Sequence, residues 1–282
     1  MGWVVYFIAS GQIFFLGGVL FIVTVFTRLA PIARLKRYSP LLMLVGFLFS
    51  AISGTPISLP FVLAIGVATA SLFIVERRDS KQQTRATAWT LITLVVSAML
   101  WEARYHVMPK LGQRQSEIVL FADSLSAGID QERTWPKILS DDHDVTVHDY
   151  SRAGAKLSTA LAIAEDVEIP AGLILLEIGG NDILGSTSPQ QFHDDMKALM
   201  AHLRKTVPTR PIVMFELPLL PFYNSYGSSQ RQLAREYNVK LLPKRILMGV
   251  LSSQDATLDS IHLSPTGHRE MARIVWALLN QN

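Results

Sequence analysis

The chain has 282 residues, 49% of them hydrophobic and 17% charged, and its mean hydropathy of +0.28 is apolar enough to imply a two-part protein with a membrane region. The net charge of +3 divides by position: residues 1–101 hold 8 Lys and Arg against 2 Asp and Glu, residues 102–282 hold 18 against 21. The basic charge is therefore not on the folded part, which excludes a nucleic-acid partner, and the lack of cysteine excludes disulfides, thiolate metal sites, a lipidated cysteine and a cysteine nucleophile.

Four segments of the first part have the composition of membrane spans. Residues 3–26 are uncharged and, at about 1.5 Å per residue, long enough to cross about 30 Å of hydrocarbon. Residues 39–75 are also uncharged, and Gly54, Pro56 and Pro60 divide them into a hairpin of two short spans, 39–55 and 58–75. The fourth segment, 86–101, runs into Trp101 and Tyr105, side chains suited to the interface. The first connection carries Arg28, Arg34, Lys36 and Arg37, the third carries Arg77, Arg78, Lys81 and Arg85, and the second is uncharged. By the positive-inside rule the basic connections are cytoplasmic, leaving the N-terminus and everything after the fourth span outside, on the periplasmic side of an inner membrane. A signal peptide carries its basic residues before the apolar run, not after it, so the first segment is expected to be retained.

After a linker at 102–115 the pattern changes. Apolar runs at 117–122, 144–150, 172–180, 211–218 and 239–243 read as strands. Helical spacing fills 158–167, 188–207, 228–237 and 264–280. This alternation predicts a three-layer α/β/α domain with a parallel sheet over 116–282, preceded by an all-α membrane region of about four transmembrane helices over 1–101.

In such a sheet the ligand site lies at the carboxyl ends of the strands. Four segments bring polar or glycine residues there: Ser124 just past the first strand, Gly154 past the second, Asn181 past the third, and Asp259 with His262 before the last helix. A serine hydroxyl needs an imidazole to take its proton, and the imidazole needs a carboxylate to fix its tautomer. Ser124, His262 and Asp259 are the residue types for those roles. The oxyanion of a tetrahedral intermediate needs preorganised donors, which the backbone N–H groups of Ser124 and Gly154 and the side-chain amide of Asn181 supply. The other histidines, His106, His143, His148, His193, His202 and His268, read as surface or packing residues, and Asp123 and Asp182 as turn caps. No cluster has metal-ligand spacing and no glycine loop precedes a Lys-Ser/Thr pair, so neither a metal nor another cofactor is expected.

These blocks, "FADSLSAG" (121–128), "RAG" (152–154), "GGND" (179–182) and "DSIH" (259–262), resemble in order and spacing the four motif blocks of the SGNH (GDSL) hydrolase superfamily. The text is most similar to its arylesterase and thioesterase I/lysophospholipase L1 branch. The resemblance covers residues 116–280 and none of the spans. It implies an SGNH-type fold, Ser124 as nucleophile, Gly154 and Asn181 in the oxyanion hole, and Asp259 and His262 completing the triad. Ala122 departs from the pattern, standing where the family usually has glycine.

The short linker keeps the catalytic domain near the bilayer, which favours a membrane-borne substrate, an acylated lipid or a glycan. Leu219, Phe222 and Tyr223, in the apolar segment 217–226, are candidates for an acyl pocket or for packing beneath a loop. Three functions are consistent with these features: a membrane-anchored serine esterase acting outside the cytoplasmic membrane, a deacetylase or O-acyltransferase working on an envelope polysaccharide with a membrane partner protein, and a membrane scaffold with a vestigial hydrolase domain. The intact set of five site residues favours the esterase.

Overall fold

The apolar runs of the second part form one parallel sheet, and the N-terminal part is wholly helical. The computed structural model describes residues 2–30, 33–78, 80–129, 133–259 and 261–281, with backbone alone for 33–35. Ser260 of the "DSIH" block and the side chain of Arg34 lie outside the described residues. The chain divides into two compact units, one of Met1–Tyr6, Val107–Pro218 and Ser225–Asn282, the other of Phe7–His106 and Leu219–Asn224.

The N-terminal region forms α1 (Trp3–Ala9), α2 (Gln12–Leu29), α3 (Ala33–Ile52), α4 (Leu59–Arg77) and α5 (Lys81–Ala103). Among the described residues three helices are long and apolar enough to cross a membrane: α2, α4, and α5 extended to His106. The expected four are thus corrected to three. The predicted span 3–26 is interrupted at Gly11, whose φ of +81° is a left-handed conformation that glycine adopts without steric cost, and the membrane-length helix starts only at Gln12. Residues 39–52 of the predicted span 39–55 lie in α3, which has Lys36 and Arg37 near its start, and the helix ends before 53–55. Its uncharged part, 38–52, is roughly 22 Å long against a hydrocarbon core of about 30 Å.

In the helical unit, α2 and α3 meet at small residues: a Cβ on Gly17 would lie 2.7 Å from the Gly46 carbonyl oxygen, so nothing larger than glycine fits there. Phe21, Val25, Met43, Leu72, Ala88 and Leu91 form the centre. Charge gathers at one end. Arg28 pairs with Glu76 and lies 3.9 Å above the Phe73 ring, and Lys36 stands 3.8 Å from Glu76. At the other end the uncharged α3–α4 turn is tied back, Gly54 N–H donating to Ile8 O at 3.0 Å. An apolar cavity of about 440 Å³ between the helices is walled by Phe14, Phe21, Phe47 and Ile65 and has no charged residue in its lining.

The other unit contains β1 (Glu117–Ala122), α6 (Ser124–Ala127), α7 (Trp135–His143), β2 (Thr146–Asp149), α8 (Leu157–Asp166), β3 (Leu173–Glu177), α9 (Gly180–Leu184), α10 (Pro189–Thr206), β4 (Ile212–Phe215), α11 (Asn224–Glu236, from Ser225 onward), β5 (Lys240–Leu242), α12 (Lys244–Ser252) and α13 (Pro265–Leu279). All neighbouring strands are parallel, in the order β2-β1-β3-β4-β5. β3 and β4 are buried throughout because crossover helices cover both faces of a parallel sheet. One face, with Ile118, Leu120, Leu173 and Leu175, packs on Trp135, Ile138 and Leu139 of α7 and on Met271, Val275 and Leu278 of α13. The opposite face, with Val119, Phe121, Ile174 and Leu176, is equally buried. α7 and α12 were not expected. Each is nine residues long, too short for its apolar spacing to stand out from a loop.

The strand order places the site. The chain leaves β1 toward β2 on one side and returns to β3 on the other, so the loops after β1 and β3 diverge at a topological switch point and leave a crevice at their carboxyl ends.

Candidate active site

Ser124 is the first residue of α6, at the end of β1 and beside that crevice. Asp123 caps the short helix, its Oδ1 accepting from Leu125 N at 3.0 Å. The serine is buried to 7% exposure, and its hydroxyl makes no hydrogen bond among the described residues. Its backbone N–H, in the first turn of the helix, is one of the donors a helix cannot satisfy internally.

The loop after β2 is tied to the same strand end, with Arg152 N–H donating to Ala122 O at 3.0 Å. Gly154 has a φ of +74°, and a Cβ there would meet nothing within 4 Å. Glycine is thus required by the backbone conformation rather than by space. The Asn181 side chain, at the start of α9, donates from Nδ2 to Ala155 O at 3.0 Å, which joins the second and third blocks and leaves the other amide hydrogen available. Asp182 is a cap, as expected: its Oδ2 accepts from Leu157 N at 3.0 Å, at the start of α8.

The Asp259–His262 loop comes from the far end of the sheet. Asp259 Oδ1 accepts the N–H groups of Ile261 and His262, each at 2.9 Å, and its Oδ2 lies 2.7 Å from His262 Nδ1. These donors, first the backbone and then the ring of His262, hold the Asp259 carboxyl well below the usual carboxylate range. With Nδ1–H donating to the carboxylate, Nε2 is left as the acceptor, the tautomer a general base needs. Leu258 N–H donates to His262 O at 2.8 Å, and Ser264 caps α13, its hydroxyl accepting from Thr266 N and Gly267 N at 3.2 Å each. A positive charge on His262 favours the ionised form of Asp123.

Beneath the turn lies a buried network that the sequence did not reveal. Glu177, the last residue of β3, is opposite Ala122 in the register, and its carbonyl accepts from Asp123 N at 3.1 Å. The two side-chain carboxyls are hydrogen-bonded to each other. Ser126 Oγ donates to Glu177 Oε2 at 3.0 Å, Trp135 Nε1 donates to Ser126 Oγ at 3.0 Å, and Trp135 N donates to His268 Nδ1 at 3.2 Å. Burial pushes His268 down to about 4, so it is a neutral acceptor at pH 7 and, as expected, a packing residue.

Burial also raises the Glu177 carboxyl well above its ordinary value and takes Asp123 from 3.8 up to about 6. Folded Asp123 therefore holds its proton more tightly than the unfolded chain does, so its contribution to stability falls as pH rises from about 4 through 6 and stays low above that. Asp123→Asn is expected to raise the melting temperature of the sheet unit at pH 8, by up to about 3 kcal/mol in free energy, and to do much less at pH 4. Melting curves at the two pH values check this, and an equal effect at both would refute it.

Of the pocket candidates, Leu219 is buried at 3% exposure, whereas Phe222 is 88% and Tyr223 41% exposed. All three belong to the segment that groups with the helical unit, where Asn224 Nδ2 donates to Ser53 O at 3.2 Å.

A parallel α/β sheet with a serine turn, an oxyanion-type asparagine and a carboxylate-held imidazole at its carboxyl rim defines a serine hydrolase. The chain belongs to the GDSL-like Lipase/Acylhydrolase family, whose profile matches residues 123–270, and it is an ester-hydrolysing enzyme. The Thioesterase 1/protease 1/lysophospholipase L1 of Escherichia coli K12 is 28% identical over 160 residues, covering 51% of this chain and 74% of that protein. Among solved structures, the psychrotrophic esterase EstA from Pseudoalteromonas sp. aligns with a TM-score of 0.49 at 24% identity, over 59% of this chain and 100% of that one. TesA aligns with a TM-score of 0.49 at 23% identity, over 58% and 98%.

Proposed function

We propose that the protein is a membrane-anchored esterase that cleaves acyl esters of a lipid or glycan held near the outer face of the cytoplasmic membrane. Ser124 Oγ attacks the acyl carbonyl while His262 Nε2 takes its proton, and the leaving alcohol then receives that proton. Water repeats the sequence to free the acid and the serine. Asp259 holds the imidazole and stabilises its charged form. The N–H groups of Ser124 and Gly154 and the second amide hydrogen of Asn181 stabilise the oxyanion. The observation that carries this reading is the 2.7 Å pairing of His262 Nδ1 with Asp259, which leaves Nε2 as the base.

The setting is supported by three features. The helical unit has membrane-length helices, and Arg28, Lys36 and Glu76 gather at one end of it. That end includes the close of α2 and α4 and precedes α5, so by the positive-inside rule α5 leads outward to the catalytic unit. Residues 107–116 extend at most about 35 Å, which bounds the distance from His106 to the start of β1. The exposed Phe222 and Tyr223 are suited to an acyl chain or the lipid interface.

Hydrolysis of a sulfonated nitrophenyl ester that cannot cross the membrane tests this. Intact spheroplasts carrying the enzyme should cleave it as fast as lysed ones, and spheroplasts with Ser124→Ala should not. Activity appearing only after lysis would place the catalytic unit in the cytoplasm and overturn the proposed orientation.

A further inference from the structure

Under the Ser124 turn, two acidic side chains that the mechanism does not use are buried against each other. Asp123 is 3% and Glu177 1% exposed. Two carboxylates cannot both stay charged at hydrogen-bond distance in an apolar setting, so the pair holds a proton. The hydrogen-bond directions assign it. Asp123 Oδ1 already accepts from Leu125 N, which favours its charged form, while Glu177 lies deeper and has one oxygen free to carry a proton once Oε2 accepts from Ser126. Glu177 thus donates to Asp123, and the single negative charge rests on the residue that caps the nucleophile helix.

We propose that the buried Asp123–Glu177 pair is a positioning element that locks the Ser124 turn from below. This rests on Ser124 being the nucleophile. α6 is only four residues long, too short to hold its own shape. Its conformation depends on the cap, with Leu125 N on Asp123, and on the Ser126 hydroxyl held between Glu177 and Trp135. The pair therefore grips the turn on both sides of Ser124. The charged and titratable groups facing the pair are His262 and Asp182, whose charges act on Asp123 directly, and His268, reached through Trp135 and Ser126.

The test uses the full-length enzyme in detergent, with p-nitrophenyl acetate as probe over pH 4.5–9. Glutamine reproduces the protonated glutamate, its N–H donating to Asp123 and its carbonyl accepting from Ser126, whereas alanine leaves both partners unpaired. Glu177→Gln should therefore keep kcat at least thirtyfold above that of Glu177→Ala at pH 8, with similar KM. The double variant Asp123→Asn/Glu177→Gln retains the cap and the inter-residue bond but has nothing to titrate. Because both hydrogen bonds remain, it should keep kcat at pH 8 within about tenfold of the wild type, with similar KM. Equal kcat for the glutamine and alanine variants would overturn the proposal, as would a loss of thirtyfold or more in the double variant, which also serves as the readout if Glu177→Ala does not fold. Ser124→Ala run alongside separates the two ideas: if it keeps wild-type activity the nucleophile assignment fails, and if it is inactive while the pair variants behave alike only the pair's role fails.

Discussion

Ser124→Ala is expected to lower kcat/KM for p-nitrophenyl acetate by about 10⁴-fold, because without the hydroxyl the imidazole has no nucleophile to activate. KM should change little, since the hydroxyl makes its new bond only in the transition state. Stability should also be nearly unchanged. The Ser124 hydroxyl has no hydrogen bond among the described residues, so its removal leaves no partner stranded. Kinetics and melting curves on the same preparation check both parts. A loss smaller than tenfold would remove Ser124 from the nucleophile's role, and a large fall in melting temperature would show that the hydroxyl has a structural task not seen here.

Gly267→Ala is expected to have the largest effect on stability, and to damage catalysis from a distance. A Cβ at this position would lie 2.1 Å from the Ala256 carbonyl oxygen. That oxygen cannot simply retreat, because it accepts from Ser264 N at 2.9 Å, and Ser264 in turn caps α13 through Thr266 N and Gly267 N. Relief of the clash must shift the loop that runs from Ala256 to the cap, and this loop carries Asp259 and His262. A cost of about 2–3 kcal/mol follows from overpacking of this kind, or roughly 4–12 °C in melting temperature for a unit of this size. Activity at permissive temperature should fall as the His262 ring loses its alignment. Gly249→Ala is the control. A Cβ there meets nothing within 4 Å, and in a helix alanine is favoured over glycine, so this variant should be neutral or slightly more stable. Equal behaviour of the two variants would show that the loop accommodates the methyl group.

The difference between these two substitutions marks what a sequence can disclose. Ser124, Gly154, Asn181, Asp259 and His262 were legible because each stands where an apolar run gives way to a loop, and because the chemistry restricts the residue types. The Asp259–His262 pair is local: three residues apart, it closes its own turn through Asp259. Asp182 reads as a cap from its place in a turn, but the N–H it caps, that of Leu157, lies on another helix. The helical N-terminal region was legible by composition, but the number of membrane-length helices was not. Hydropathy records apolar length and cannot show that Gly11 breaks a helix or that α3 begins among basic residues.

The sequence by itself determined the class of fold, the order of the strands along the chain, and the residues able to do acyl chemistry, since these follow from periodicity and residue type. Only the tertiary structure decided which groups share a proton and which stay neutral. Glu177, Ser126 and Trp135 are not singled out by the sequence, and His268 reads as a surface or packing residue. They become one network because the pairing of β1 with β3 sets Glu177 beside Ala122, and because packing of α7 and α13 on one face of the sheet brings Trp135 to Ser126 and His268. Desolvation and hydrogen-bond direction depend on distances between residues some fifty to more than a hundred positions apart, and only the folded chain sets those distances.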